Sequence, residues 1–530
     1  MSKGARSALA AGKVSVAVFL SRILGLVRDQ FFAKLFGAGL YNDAWLVAFR
    51  IPNLLRDLFA EGALSAAFLP TFTEIFRKQG RAQAWHLANL VLSAVLVLLG
   101  LVTVVLFVFS EFFVHGLAAG FSDVPGKVHI TSTLIRILSP FLMLVALASV
   151  AMGILNAFNH YFLPALAPAL FNVALILTAV FGVPLFRAAG ILPIYAMGFG
   201  ALVGGILQFA VQIPIMRKEG FRFDFRIDWQ DPGIRRMRKL LGPALIGVSA
   251  VQVNILVNTQ LASFLQDNGP VSWLSYAFRI MYLPIGLFGV AVGVVNLREV
   301  SVFAAQEQYH ELKETVADSI KLISFMAVPS TIGLIVLASP IVRLLFERGD
   351  FTAQDTYFTA WALVAYAIGL SAYSFNKVYV PTFYALDDTR TPVRISIFTV
   401  GVNIAINLLL IWLLPAGYKF VGLALGTSVS ISLSNTLLSW RLRSRLGDLS
   451  EFGVRGMIVR DLAAALLMGA LVWWLHGWSA SAWPLGGILG QITELGTLIA
   501  SGGAVYLGLC RLFGVHEVSY VLQLLRQGRK

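Results

Sequence analysis

Fourteen long apolar runs divide this chain of 530 residues, and they restrict its fold more than any other feature. A helix that crosses a bilayer needs about 20 mostly apolar residues, and each run reaches that length. Charged residues make up only 13% of the sequence, against about 25% in soluble domains. We therefore predict an all-α polytopic membrane protein with 14 transmembrane helices. The predicted spans are residues 14–36, 43–73, 85–112, 131–157, 163–183, 191–216, 240–265, 271–297, 317–339, 357–382, 393–414, 420–440, 457–478 and 487–512.

Basic residues are concentrated in alternate loops between these runs, most densely at 217–239 and 441–460. Cytoplasmic loops of membrane proteins carry an excess of Lys and Arg, so this alternation predicts that both termini are cytoplasmic. Membrane orientation then explains the net charge of +14, and we predict no nucleic-acid partner.

A short motif occurs twice. WLVAFRI at 45–51 recurs, with one inserted residue, as WLSYAFRI at 273–280. Internal repeats are typical of transporters with two lobes around a central cavity, so we predict two pseudo-symmetric six-helix lobes followed by two further helices. The predicted division is a first lobe at 1–216, a basic cytoplasmic linker at 217–239, a second lobe at 240–440, a basic cytoplasmic loop at 441–456, and spans 13 and 14 with a cytoplasmic tail at 457–530.

The first two runs differ from the others because charged residues occur all along them, between Val14 and Glu74. An arginine that faces lipid at mid-bilayer costs about 2.5–3.5 kcal/mol, so these side chains are expected to face water or an anion. The charged positions include Arg22, Arg28, Asp29, Arg50, Arg56, Asp57 and Glu61.

The spacing of the arginines predicts that they meet. At 1.5 Å per residue, antiparallel pairing of the two runs places Arg22 at the level of Arg56 and Arg28 at the level of Arg50, while Arg279 of the eighth run lies near the midplane. The acids nearby leave a surplus of positive charge, and a planar guanidinium binds phosphate through two oxygens. We predict a central cationic cavity that binds an anion. The alternative is a static network in which the acids neutralise the arginines.

Motifs for nucleotide-driven, catalytic or cation-binding chemistry are weak in this sequence. The sequence has no GxxxxGK[ST] loop and no nucleophile–base pattern, so we predict a transporter without a nucleotide-driven step, not an enzyme, and no cofactor. The pairs Asn254 with Asn258 and Asn403 with Asn407, together with Thr427, offer oxygens for a cation. Hydrogen bonding between helices is the commoner use of such residues, and it stays open as the alternative.

Several motifs resemble those of a known family. They are SRILGLVRD at 21–29, FGAG at 36–39, PNLLR at 52–56 and FAEGA at 59–63, with GPA at 242–244, SWLSYAFR at 272–279, LFERGDF at 345–351 and TPV at 391–393. Together they resemble the signature of the MurJ (MviN) lipid II flippases, well over spans 1 to 12 and weakly over the last two.

The resemblance implies a fold of the multidrug/oligosaccharidyl-lipid/polysaccharide exporter type, in which the last two helices carry a groove for the lipid tail. The implied substrate is the undecaprenyl-pyrophosphate-linked disaccharide-pentapeptide, lipid II, moved from the inner to the outer leaflet of a bacterial inner membrane by alternating access. Membrane lipids and cell-wall synthesis enzymes are the implied partners, with coupling to Na⁺ or to the membrane potential.

The resemblance also implies roles for individual residues. Arg22, Arg28, Asp29, Arg56 and Arg279 match the family's cavity residues, with the arginines binding the pyrophosphate, and Asp43 and Glu61 match gate-related positions. We add Arg50 and Asp57 as predicted secondary residues of the gate. Asn403, Asn407 and Thr427 fall where a sodium site is implied for some members.

This chain departs from the pattern near Arg279. Phe278 and Tyr282 stand where some members have acids, and NLREV at 296–300 replaces the family's usual end of span 8. Three alternatives to lipid II flipping stay open. They are a flippase for another polyprenyl-linked glycan, a cation-coupled efflux pump, and a membrane scaffold for cell-wall enzymes.

Overall fold

The computed structural model describes residues 3–56, 63–265, 268–482, 487–515 and 517. Over these ranges the chain forms helices joined by turns and short irregular segments, with no β-strand. This confirms the all-α prediction, and helices lie over all fourteen predicted apolar runs.

Two compact units divide the chain: residues 1–272 with 348–351, and residues 273–347 with 352–530. The helices of the first unit are α1 Lys3–Phe36, α2 Leu40–Arg56, α3 Ala63–Gln79, α4 Arg81–Val108, α5 Ser110–Ala118, α6 Lys127–Ala157, α7 Phe162–Leu177, α8 Val183–Ala188, α9 Pro193–Ala210, α10 Ile213–Lys218 and α11 Pro232–Ser263.

The second unit contains the remaining helices, and its first helix begins just before the boundary. They are α12 Pro270–Pro284, α13 Val290–Ala305, α14 Tyr309–Val336, α15 Ala338–Phe346, α16 Ala353–Ala367, α17 Leu370–Ala385, α18 Arg390–Leu413, α19 Lys419–Leu446, α20 Val454–Ala482 and α21 Gly487–Leu512. A π-helical turn, Ile285–Gly289, joins α12 to α13, and another, Thr178–Gly182, joins α7 to α8.

Within the described ranges, ten helical segments are long and apolar enough to cross a membrane, or eleven if α16 and α17, bent by 41°, form one span. The chain is therefore a multi-pass membrane protein by length and composition. The figure of fourteen spans stays a prediction. α1 is outside the ten, and its apolar stretch carries Arg22, Arg28 and Asp29.

Aromatic side chains form the core of the first unit at one end of α3, α4 and α6. Phe68, Phe72 and Phe158 are packed there around Trp85, whose ring stacks on Phe158 at 5.0 Å and 15°. Elsewhere α1 packs on α7 and α2 packs on α6. These two contacts hold the charged helices α1 and α2 against apolar partners.

In the second unit, α20 and α21 pack against each other and α20 packs on α14. Their apolar core surrounds a buried carboxylate, Asp461, which accepts a hydrogen bond from Ser324 Oγ at 2.8 Å. Tyr506 Oη donates to the carbonyl oxygen of Phe325 at 2.9 Å. Polar contacts thus attach the last two helices to α14.

Candidate anion-binding site

Arg28 on α1 is oriented by several hydrogen bonds. Its Nη1 donates to Asn172 Oδ1 at 2.9 Å, and its Nε and Nη2 donate to Asp29 Oδ1 at 3.1 and 2.9 Å. The guanidinium also lies 6.0 Å from the ring centroid of Phe171. The side chain keeps 19% of its surface exposed, so it is held in one direction and still accessible.

Asn172 on α7 joins this residue to a second point of α1. Its Nδ2 donates to the carbonyl oxygen of Ser21 at 3.0 Å, while its Oδ1 accepts from Arg28. One amide therefore fixes both the arginine and the backbone about two turns before it. Sequence reasoning missed Asn172; the available signal was a lone amide inside an apolar run, where buried polar side chains usually make interhelical bonds.

Phe171 links this arrangement to α2. Its ring lies 6.0 Å from that of Phe49, the residue before Arg50, so α2 approaches the same aromatic cluster. Arg50 and Arg56 are half-buried on α2, and Arg22 is exposed on α1. The structure therefore places all four arginines in the first unit, and Phe171 lies close to both Arg28 and Phe49.

Two predicted residues, Asp57 and Glu61, lie outside the described residues. Arg56 is the last residue of α2.

Asp43 near the start of α2 lies in a different environment, a fully buried polar network. Its Oδ2 accepts from Lys127 Nζ at 2.9 Å and from the Gly269 N–H at 2.9 Å. Its Oδ1 accepts from the Ser272 N–H at 3.0 Å and from Ser272 Oγ at 2.5 Å. Asp43 and Lys127 are each only 1% exposed. This carboxylate ties α2 to α6 and to residues 269–272.

Lys127, the first residue of α6, is the second residue that sequence reasoning missed. Its Nζ lies 4.2 Å from the ring centroid of Phe121 and donates to Asn268 Oδ1 at 3.1 Å. A possible signal was its position in the loops opposite the N-terminal side, which contain few basic residues. Breaking a buried ion pair by removing one partner leaves an uncompensated charge, so Lys127 and Asp43 depend on each other.

Two glycines of the family-like motifs are explained by a close backbone contact. Gly37 at the end of α1 has φ +59° and faces the backbone of Asp350, and Gly349 has φ +61° and faces the backbone of Lys34. The Asp350 N–H donates to the Lys34 carbonyl oxygen at 3.0 Å. Any side chain at either glycine would collide with the facing backbone and strain a left-handed conformation.

Arg279 is half-buried on α12, in the second unit. The neighbouring position 278, where some relatives were expected to have an acid, carries an aromatic cluster instead. Phe278 stacks on Tyr282 at 5.8 Å and meets Tyr366 and Tyr373 edge-on at 5.4 and 6.1 Å. Position 278 therefore contributes aromatic packing rather than charge.

Each asparagine pair is hydrogen-bonded within its own helix. Asn258 Nδ2 donates to Asn254 Oδ1 at 3.2 Å, and Asn407 Nδ2 donates to Asn403 Oδ1 at 3.0 Å. Asn403 and Asn407 are fully buried, and Thr427 Oγ1 donates to the carbonyl oxygen of Leu423 at 2.8 Å. The first pair lies in the first unit, whereas Asn403, Asn407 and Thr427 lie in the second.

Arginines held on apolar helices, in a chain with ten or eleven candidate spans in its described part, define a multi-pass membrane transporter. The family model "Lipid II flippase MurJ" matches residues 32–492. The "Probable lipid II flippase MurJ" of Vibrio cholerae is 34% identical over 510 residues, covering 95% of each chain. The "Lipid II flippase MurJ" of Burkholderia cenocepacia is 34% identical over 515 residues, covering 94% of this chain and 96% of that protein.

The chain belongs to the MurJ family of lipid II flippases, which are transporters and not enzymes. Solved structures agree. A lipid II flippase MurJ in an inward closed conformation superposes with a TM-score of 0.77 at 27% identity, covering 94% of this chain and 98% of that chain. An inward-facing multidrug resistance MATE transporter of the MOP superfamily gives a TM-score of 0.70 at 13% identity, which shows the shared fold. The resemblance carried by the sequence motifs is confirmed.

Proposed function

We propose that this protein flips lipid II from the inner to the outer leaflet of a bacterial inner membrane and that the first-unit arginines bind its pyrophosphate. The observation that carries the proposal is the fixed direction of Arg28. Asp29 and Asn172 hold its guanidinium at 2.9 Å each, so binding a phosphate requires little further ordering of the side chain.

The charge balance supports an anionic ligand. In this part of the sequence, Arg22, Arg28, Arg50 and Arg56 give four positive charges against three from Asp29, Asp57 and Glu61, and Asp43 is paired with Lys127. Arg279 of the second unit stays a predicted substrate-binding residue. The two-lobe cavity and alternating access are the proposed route, with both termini in the cytoplasm and cell-wall synthesis enzymes as proposed partners.

We assign Asp43 to the gate at the end of α2 that lies opposite the N-terminal side of the membrane. Opening there would separate Asp43 from Ser272 and Gly269, which now donate three hydrogen bonds to it. Lys127 of α6 would compensate the released carboxylate as long as its 2.9 Å ion pair with Asp43 persists. Arg50, Asp57 and Glu61 are proposed as secondary gating residues.

The membrane potential is the proposed driving force. It supplies about 2.3 kcal/mol per elementary charge per 100 mV, and the transported head group is anionic. The alternative driving force is sodium coupling, with a sodium site formed by Asn403, Asn407 and Thr427. These ligands are neutral, and cation affinity depends on the charge of the ligand set, so we expect weak sodium binding there.

Complementation tests the function. A bacterium depleted of its own lipid II flippase would express this chain, and outer-leaflet lipid II would be measured by its cleavage with an externally added toxin. We expect wild type to restore cleavage, Arg28→Ala to abolish it, and the exposed control Arg187→Ala to retain it. Failure of inserted wild-type protein would redirect the proposal to another polyprenyl-linked glycan. Normal cleavage with Arg28→Ala would contradict the assigned site.

A further inference from the structure

The connection between α10 and α11 has an alternating sequence that the transport site does not use. Residues 221–229 read FRFDFRIDW, in which aromatic or aliphatic residues alternate with charged ones. Side chains of an extended segment point alternately to opposite sides. This pattern therefore gives the segment one apolar side and one charged side.

Two side chains of α4 hold the segment in an extended form. Asn89 Nδ2 donates to the Arg222 carbonyl oxygen at 3.1 Å, and Asn89 Oδ1 accepts from the Asp224 N–H at 3.1 Å. Ser93 Oγ then accepts from the Arg226 N–H at 3.1 Å. Two residues of extended chain advance about 6.6 Å, and four residues of helix advance about 6 Å. The segment thus runs alongside α4 in the same direction.

After Arg226 the chain turns back toward the N-terminal end of α4. Asp231 caps α11 by accepting from the Gly233 and Ile234 N–H groups at 2.8 and 3.2 Å. Its Oδ2 lies 3.9 Å from His86 Nε2. Since His86 precedes Asn89 by three residues, residues 221–231 form a hairpin that ascends along α4 to Ser93 and descends again.

Phe221 is buried against Trp85, but from Phe223 onward the apolar side of this hairpin is uncovered within the described residues. Phe223, Phe225, Ile227 and Trp229 are 52, 55, 45 and 41% exposed. One turn beyond Ser93 on α4, the exposed residue Val97 begins a face that continues through Leu98 and Leu101. α4 is a candidate membrane span, so this face contacts lipid, and the hairpin extends it toward the N-terminal end of the helix.

We propose that residues 222–229 bind the leaflet on the basic side of the membrane, with Phe223, Phe225 and Trp229 against acyl chains and an anionic phospholipid head group at the surrounding cations. The stretch 217–239 contains eight Lys and Arg residues against four Asp and Glu. Arg217, Lys218, Arg235, Arg238 and Lys239 within it are exposed. A surplus of this sign attracts anionic lipid.

The unpaired backbone groups of the segment determine how deep in the leaflet it lies. Asn89 and Ser93 satisfy the groups that face α4, while no protein partner in the described chain bonds the N–H groups of Phe223 and Phe225. Unpaired backbone groups are costly in hydrocarbon. The segment therefore lies at the level of head groups, whose phosphate and ester oxygens accept these bonds, and only its side chains reach the acyl chains.

Tryptophan quenching tests the placement. Full-length protein would be reconstituted in liposomes of phosphatidylethanolamine and phosphatidylglycerol, and the Trp229 contribution obtained by subtracting the Trp229→Phe emission from that of wild type. We expect quenching by lipid brominated high on the acyl chain and little quenching by aqueous iodide. Quenching of Trp229 by iodide alone would overturn the proposal and would indicate that this surface is available to a soluble partner.

A second measurement tests the head-group preference. Native mass spectrometry would count phosphatidylglycerol retained by wild type and by the double variant Arg222→Gln/Arg235→Gln. The matched control is Arg455→Gln/Arg460→Gln, in exposed basic positions of the second unit. We expect a loss of bound phosphatidylglycerol only in the first variant. No loss, or the same loss in the control, would contradict an anionic-lipid site here, whatever the transport activity of either variant.

Discussion

Arg28 and Asp43 are charged residues of neighbouring helices, and they differ in what surrounds them. Arg28 is fixed by one carboxylate and one amide and stays 19% exposed, whereas Asp43 is 1% exposed and receives four hydrogen bonds. The first arrangement prepares a charge for an external anion. In the second arrangement, every acceptor position of the Asp43 carboxylate is used to hold helices together. This network therefore changes only if the helices separate.

Removing Lys127, the partner of the buried Asp43, should have the largest effect. Lys127→Ala leaves Asp43 buried without its cation, and such losses cost about 3–5 kcal/mol. We expect a marked fall in the apparent Tm of the purified protein. The double variant Asp43→Asn/Lys127→Met, which buries no charge, should recover most of it. An unchanged Tm in Lys127→Ala would show that the pair is not structural.

Removing Asn172, which orients Arg28, should mainly change transport activity. Asn172→Ala removes a hydrogen bond to a charged group, worth about 1.5–3 kcal/mol, and should raise the apparent KM of flipping by roughly ten- to a hundredfold, with a smaller fall in Tm than Lys127→Ala. Asn156→Ala is a control of the same type in the same unit. A fall in Tm with unchanged KM would instead make Asn172 a packing residue.

The contact between residues 349 and 34 tests how firmly the ends of these helices are held. Gly349→Ala forces an alanine into a left-handed conformation, which costs about 1–2 kcal/mol, and against the Lys34 backbone. We expect a moderate loss of stability. Gly417→Ala, at a glycine with no neighbour within 4 Å, should be tolerated, and equal Tm values for the two variants would contradict the contact.

The ion pair between buried Asp388 and exposed Arg445 should give the smallest effect. Burial would raise the pKa of Asp388, but hydrogen bonds from Thr391 and the Arg445 charge at 2.8 Å hold it below the usual value. Because the folded-state pKa is lowered, the stabilisation is present above the unfolded-state pKa and is lost as pH falls through the folded one. We expect at most about 1 kcal/mol, seen as a pH-dependent Tm below pH 5 that Asp388→Asn reduces.

The sequence predicted what depends on local composition. Apolar runs long enough to span a bilayer predicted helices that the structure contains, and charges within such runs drew attention to Arg28 and Asp29. Asn172 and Lys127 were missed because their partners are 144 and 84 residues away. Spacing along one helix carries no information about such distant contacts. The roles of Asp57 and Glu61 stay predictions.

The π-helical turn Ile285–Gly289 has a consequence for the helix that follows Arg279. A π turn accommodates one extra residue by widening the backbone ring, and each residue of an α-helix turns the face by about 100°. Deleting one residue from this turn would restore regular pitch and rotate α13 about its own axis relative to α12. The side of α13 that now contacts α17 would then point elsewhere, although no packed side chain had been replaced.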